Sequence, residues 1–253
     1  MSIDLNADLG ERPRLTPADL AVMESVTSVS IACGHHAGSV EVMGETARAC
    51  LERAIVIGAH VSYRDREGFG RRSVEVTPDE LYAGVVEQYQ ALSAIVRALG
   101  GAVSFVKPHG ALYNDMAIDG ERSVAVVEAM TAVGIDVLVT QGLGPVPAVA
   151  ARAGIRVVLE GFPDRGYLSD GRLAPRSAPG GLVDDPTAAA SRAVAMARGA
   201  PLEAVDGGVL RLAVHTLCIH GDAPDAAARA AAVRRHLERS RVEIAAFVSA
   251  GPH

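Results

Sequence analysis

The sequence has no tryptophan, and aromatic residues make up only 4% of it. Its core must therefore be built from Ala, Val, Leu and Ile. Lysine is scarcer than its chemistry warrants: of 24 Lys and Arg residues, Lys107 is the single lysine. Cys33, Cys50 and Cys218 are an odd, widely spaced set without a CxxC. That excludes a disulfide framework and points to a reducing compartment. No apolar run approaches the ~20 residues that a membrane span needs. The opening stretch MSIDLNADLGE has neither a basic region nor an apolar one, so no signal peptide is expected and the location expected is cytoplasmic. Formal net charge is −6, and the basic pairs Arg71-Arg72 and Arg234-Arg235 form no patch, so nucleic acid is not an expected partner. HExxH, GxSxG, paired CxxC and P-loop motifs are all missing.

What is present is a globular chain of 253 residues, 49% hydrophobic and 21% charged, enough for one large α/β domain spanning 1–253. Apolar runs predict strands at 2–6, 26–32, 55–59, 102–106, 135–140, 156–159, 209–218 and 242–247. Helices are predicted after Thr16-Pro17, over 40–53, from Thr77-Pro78-Asp79-Glu80 to Gly100-Gly101, near 122–133, over 146–152, after Asp185-Pro186 and over 226–239. Residues 61–76 and 161–182 read as long irregular segments, a type that is functional or disordered. The β–α alternation argues for parallel strands with crossover helices. A barrel is preferred over an open sheet. Asp8, His36, His60, Lys107, His109, Gln141, Glu160, Asp164, His220 and Asp222 all follow strands, and in a barrel those ends share one face.

The stretch VKPHGALYN at 106–114 carries the strongest signal. A lysine closing a buried strand must be partly desolvated, and a histidine follows two residues later. The bland alternative is a lysine that snorkels to solvent. His35 and His36 are adjacent, so at most one faces a site in extended chain. His60 ends an apolar strand, where hydrogen-bonded filler is the competing reading. Asp164 and Arg165 sit in a glycine-rich segment that equally suits an Asx-turn or a surface ion pair. Asp222 precedes a helix start and reads equally as an N-cap. Gly142 and Gly144 imitate a dinucleotide fingerprint, but Pro147 occupies the third glycine position. Asp8, His36, His60, His109 and His220 are metal-ligand types whose spacing is too long to define a cage.

Six blocks, IDLNADLGE (3–11), SIACGHHAG (30–38), IGAH with YRDREGFGRR (57–72), VKPHGALYN, the run from Glu160 to Arg176 and HGD (220–222), together resemble the LamB/YcsF family. The resemblance implies a distorted (β/α) barrel of about seven parallel strands, of the glycoside hydrolase/deacetylase type. It implies a 5-oxoprolinase activity: ATP-dependent opening of 5-oxo-L-proline, a small anionic lactam, to L-glutamate, with ADP and phosphate released. ATP, with Mg, would be the co-substrate, and subunits of the kind called B and C would be the partners. The catalytic set would be Asp8, His60, Lys107, His109 and Asp164; His36, Asn114, Arg165, His220 and Asp222 would bind substrate. Asp8 or Asp164 would act as base, with Lys107 and Arg165 on the substrate carboxylate or the phosphate. His35 replaces the family's usual Phe, Ser39 an Asp and Val61 a Pro, so His36 rather than His35 is carried over. The competing expectations are a stand-alone metal-dependent amidohydrolase or deacetylase, and a non-catalytic lactam-binding subunit.

Overall fold

A computed structural model of the chain describes residues 2–219 and 225–249. In chain order the elements are β1 (Ser2–Leu9), α1 (Pro17–Met23), β2 (Ser28–Ala32), α2 (Val40–Glu52), β3 (Val56–Val61), α3 (Pro78–Ala98), β4 (Val103–Pro108), α4 (Gly110–Asp115) and α5 (Gly120–Ala132). There follow β5 (Val137–Thr140), α6 (Val146–Arg152), β6 (Arg156–Gly161), α7 (Pro186–Ala197), β7 (Leu202–Glu203), β8 (Val209–Leu210), β9 (Thr216–Ile219), α8 (Ala226–Arg239) and β10 (Glu243–Ile244). Among the described residues no helix is long and apolar enough to cross a membrane. The chain divides into two compact units: residues 2–7, 17–27 and the described part of 159–247 form one, and 8–16 and 28–158 the core of the other.

In the first unit β1 pairs in parallel with β9, from Asp4↔Thr216 to Ala7↔Ile219, and with β10. β6 pairs with β9 at Glu160↔Thr216. Donors and acceptors alternate among the buried side chains there. Asp4 accepts from Thr27 Oγ1 at 2.6 Å and from Thr216, while Asn6 donates to Glu160 at 2.9 Å and to Thr216 Oγ1 at 2.7 Å. β7 and β8 form a small antiparallel pair.

In the second unit β2, β3, β4 and β5 pair in parallel. The register sets Ala32 beside His60 and His60 beside Lys107. In-register neighbours of a parallel pair face the same side, so His60 and Lys107 share a face, with Gly58 and Phe105 two residues below. The register shifts at Ile57/Gly58, and a Cβ on Gly58 would stand 2.2 Å from the Phe105 ring. Glycine is thus required for the ring to close the floor beneath Lys107. α3 follows the sequence signals closely. Thr77 Oγ1 accepts from the Glu80 amide at 3.2 Å and the Glu80 carboxylate accepts from the Thr77 amide at 2.9 Å. It ends on Gly100 at φ +86°, with Gly101 N–H donating to Val96 and Gly100 N–H to Arg97, a Schellman closure.

Several boundaries differ from expectation. β1 runs on to Leu9, carrying Asp8 inside the strand, and β3 runs past His60 to Val61 because it pairs with β4 as far as Val61↔Pro108. Pro108 is the last residue of its strand rather than a residue beyond it. The run 209–218 is not one strand: β8 turns antiparallel against β7, and β9 starts only at Thr216. The final strand is reduced to Glu243–Ile244, and α4 fills what reads as loop after His109. Gly58→Ala should cost about 1–3 kcal/mol by overpacking. Urea unfolding should show part of that loss recovered in Gly58→Ala/Phe105→Leu.

Candidate functional site

Asp8 emerges at the carboxyl end of β1, His60 and Lys107 at the ends of β3 and β4, and His109 at the N-cap position of α4. Lys107 is only 2% exposed. Its ammonium donates to both Asp8 oxygens, at 2.8 and 3.1 Å. Buried without that carboxylate, the charge would cost several kcal/mol, so the pair forms as a unit. Around it stand three buried imidazoles. His60 Nε2 lies 3.4 Å from Asp8 Oδ2 and 2.9 Å from His109 Nδ1. His36 stacks on His109 with ring centroids 3.9 Å apart and planes 7° from parallel. Burial holds all three rings below the ordinary histidine range: His36 to about 3, His109 to about 4 and His60 well below, with the Asp8 carboxylate opposing the shift in each. At neutral pH these are uncharged bases.

Glu11, two residues past the end of β1 and absent from the predicted site residues, joins them. Its Oε1 is 3.4 Å from His36 Nε2 and 3.7 Å from His109 Nδ1. One ligand atom from each of Glu11, His36, His60 and His109 falls within 4.8 Å of the others, a donor set of the kind that holds a metal ion. The rings are aimed by the 61–76 segment. Asp65 accepts from the Gly68 amide and from Arg72, and the chain turns back through Phe69 and Gly70, both at positive φ. A Cβ on Gly70 would lie 2.9 Å from both His36 and His109, and one on Gly110 would lie 2.4 Å from the Gly70 carbonyl. Only glycine allows the turn to close over the histidines there. Beside the cluster opens a cavity of about 340 Å³ whose lining includes Glu11, Arg12, His36, Ser39, Arg66 and Phe69.

The remaining predicted residues have other neighbours. His35 turns toward α3, 3.6 Å from Glu87, so the adjacent histidines do face different ways. Ser39 caps α2 by accepting from the Val42 amide, a task serine and aspartate share. Asn114 is exposed and donates to the Gly110 carbonyl of its own helix. Asp164 and Arg165 belong to the first unit. Asp164 Oδ2 is 3.4 Å from Arg229 Nη1, both buried. Arg165 donates to the Ala174 and Gly181 carbonyls at 2.7 and 3.1 Å. His220 and Asp222 lie outside the described residues.

The LamB/YcsF family model matches residues 3–251. The chain belongs to the LamB/YcsF family. It is 47% identical over 250 residues to the A-type subunit of 5-oxoprolinase from Mycobacterium avium, covering 97% of this chain and 98% of that one. The crystal structure of a lactam utilization protein from Thermus thermophilus superposes with a TM-score of 0.91 at 42% identity, over 98% of this chain and all of that one. A family 4 carbohydrate esterase from Streptomyces lividans shares the fold alone, with a TM-score of 0.50 at 9% identity over 98% of this chain and 93% of that one. The fold class is therefore a closed barrel of seven main parallel strands ringed by helices. For this family member, Lys107→Met should strip the buried Asp8 carboxylate of its ammonium, at a cost of about 3–5 kcal/mol. Denaturant titration should show Asp8→Asn/Lys107→Met more stable than Lys107→Met alone.

Proposed function

We propose that the chain is a single-domain subunit of an ATP-dependent 5-oxoprolinase, working with partner subunits of the B and C kind in the cytoplasm. The observation that carries this reading is the near-complete, 47% identical match to the A-type subunit of a 5-oxoprolinase. The geometry agrees with it. A lactam resists water because amide resonance makes its carbonyl a poor electrophile. Transfer of a phosphoryl group from ATP to the lactam oxygen, releasing ADP, activates that carbon. Water then adds, the ring C–N bond breaks as nitrogen takes a proton, and a second water releases phosphate from the resulting acyl phosphate.

That sequence needs groups that pass protons between the water, the ring nitrogen and the base. His60 and His109 are buried, uncharged and in mutual contact, so they fit this role, with Asp8 as the adjacent base. Lys107 fixes Asp8 and supplies the local positive charge. Arg12 and Arg66 at the cavity suit the substrate carboxylate or the phosphate, which carry opposite charge, and the neutral His36 stands beside them. Arg165 is assigned to holding the 161–182 segment, and Asp164 to its pairing with Arg229. The Glu11–histidine donor set favours a second reading, a metal-dependent amidohydrolase acting without ATP.

The test is 5-oxoproline-dependent ADP and glutamate release by the chain reconstituted with its partner subunits. Asp8→Asn should lower kcat by at least ~100-fold. Wild-type turnover in a complex carrying both Asp8→Asn and His109→Ala would instead make this chain a lactam-binding subunit without catalytic residues. Lactam opening by the isolated chain without ATP would favour the second reading.

A further inference from the structure

The protons of the three site histidines can be placed one by one. His60 Nδ1 is 3.1 Å from the Lys107 carbonyl. A carbonyl only accepts, so the His60 proton sits on Nδ1 and Nε2 keeps its lone pair. His109 Nε2 is 2.9 Å from the Phe69 carbonyl. By the same reasoning His109 Nδ1 is a lone pair. His36 Nδ1 is 2.9 Å from Ser62 Oγ, whose own proton goes to the Tyr63 carbonyl at 2.9 Å. Ser62 therefore accepts from His36 Nδ1, and His36 Nε2 is the third lone pair. It is buried without a hydrogen-bond partner.

The three ring nitrogens that keep a lone pair and a Glu11 oxygen lie within 4.8 Å of one another. His60 Nε2 and His109 Nδ1, both acceptors, stand 2.9 Å apart. The Glu11 oxygen stands 3.4 and 3.7 Å from His36 Nε2 and His109 Nδ1. Two ring nitrogens that both present lone pairs at 2.9 Å repel unless an electrophile lies between them. One extra proton could bridge His60 and His109, but it would leave His36 Nε2 facing a carboxylate, and burial disfavours the imidazolium. A divalent ion satisfies the three ring nitrogens at once and takes the Glu11 carboxylate as a fourth donor. Tetrahedral donors at ~2.0–2.1 Å from zinc stand roughly 3.3–3.4 Å from one another, inside the range of separations found here. The second sphere is also of the expected type: each ring N–H opposite the site is held by a carbonyl or hydroxyl oxygen, which fixes the tautomer and the ring plane.

We infer that Glu11, His36, His60 and His109 form a binding site for one divalent first-row transition ion, of the class of Zn²⁺ or Co²⁺. Ser62, Phe69 and Lys107 act on it through their oxygen atoms, as positioning groups. The site stands on donor geometry; in the ion-bound chain His36, His60 and His109 hold the ion and Asp8 remains as the base, so the test reads metal uptake by the chain itself.

The full chain is stripped with a chelator, checked for native circular dichroism and titrated with Co²⁺ and Zn²⁺. The expected result is one ion per chain, with the visible bands of Co²⁺ in a four-coordinate nitrogen and oxygen field. Glu11→Gln and His36→Ala should abolish those bands, and Ser62→Ala should weaken affinity by about 10–100-fold. His236→Ala, on α8, should bind as wild type. A folded wild-type chain that takes up neither ion overturns the inference. So does uptake that Glu11→Gln, His36→Ala and Ser62→Ala leave unchanged. If the ligand variants fail to fold, the wild-type spectrum and the Ser62→Ala affinity decide.

Discussion

The ion pair between Lys107 and Asp8 constrains everything around it. At 2.8 Å and an effective dielectric near 20, the attraction is about 6 kcal/mol. Removing both ions from water costs several kcal/mol each. The two magnitudes nearly cancel, so the pair adds little net stability. What it supplies is position: neither partner can leave without stranding the other. The choice of lysine fits that task. A guanidinium presents a broad planar fork, whereas an ammonium is a compact point charge on a slim stem, and Phe105, whose ring only Gly58 admits, lies two residues before it in the same strand. A chain that uses arginine everywhere else uses lysine where the head group must be small.

From that pair the constraint passes into the backbone. The Lys107 carbonyl fixes the His60 ring, while the Val61 carbonyl accepts from the His109 amide at 2.7 Å. The adjacent strands β3 and β4 thus hold one another's histidines, and their shared register decides where both rings point. The 61–76 segment completes the frame through the Phe69 carbonyl and the Gly70 carbonyl, which accepts from the Ala111 amide at 2.8 Å. Ring positions set by strand register and backbone carbonyls are far stiffer than positions set by surface side chains, which is what a group of mutually repelling lone pairs demands.

Much of this is legible in the sequence where the signal is local. Thr77-Pro78 with Glu80 announces α3, and Asp185-Pro186 announces α7, because caps are satisfied within a single turn. His36, His60, Lys107 and His109 stand out because polar residues after apolar runs are costly to bury. Glu11 does not stand out: in Gly-Glu-Arg-Pro-Arg it is one charge among several, and only the return of the chain brings it to His36. The split between β8 and β9 is likewise hidden. Residues 209–218 are apolar enough for one strand, and the antiparallel partner that captures Val209–Leu210 comes from Leu202–Glu203. The strand read as ending before His60 runs one residue past it, since pairing with Lys107 and Pro108 extends β3 to Val61. Non-local pairing decides each of these, and single-sequence periodicity does not carry it.

Buried polar groups serve scaffold in one place and chemistry in another. In the first unit a carboxylate meets hydroxyl donors: Asp4 takes Thr27 and Thr216, and Asn6 bridges Glu160 and Thr216. The 161–182 segment is ordered on the same principle. Arg165 gives its guanidinium to the Ala174 and Gly181 carbonyls, and Arg192 gives its own to those of Pro163 and Arg165. Charge-assisted bonds of this kind contribute roughly 1.5–3 kcal/mol each, which lets an irregular run with few aromatics hold one shape. Donor there answers acceptor. In the second unit the histidine protons are spent outward on carbonyls and a hydroxyl, and the lone pairs are left facing inward. Lone pairs opposed at 2.9 Å cost stability and serve no structural purpose, so this set is where function is to be sought.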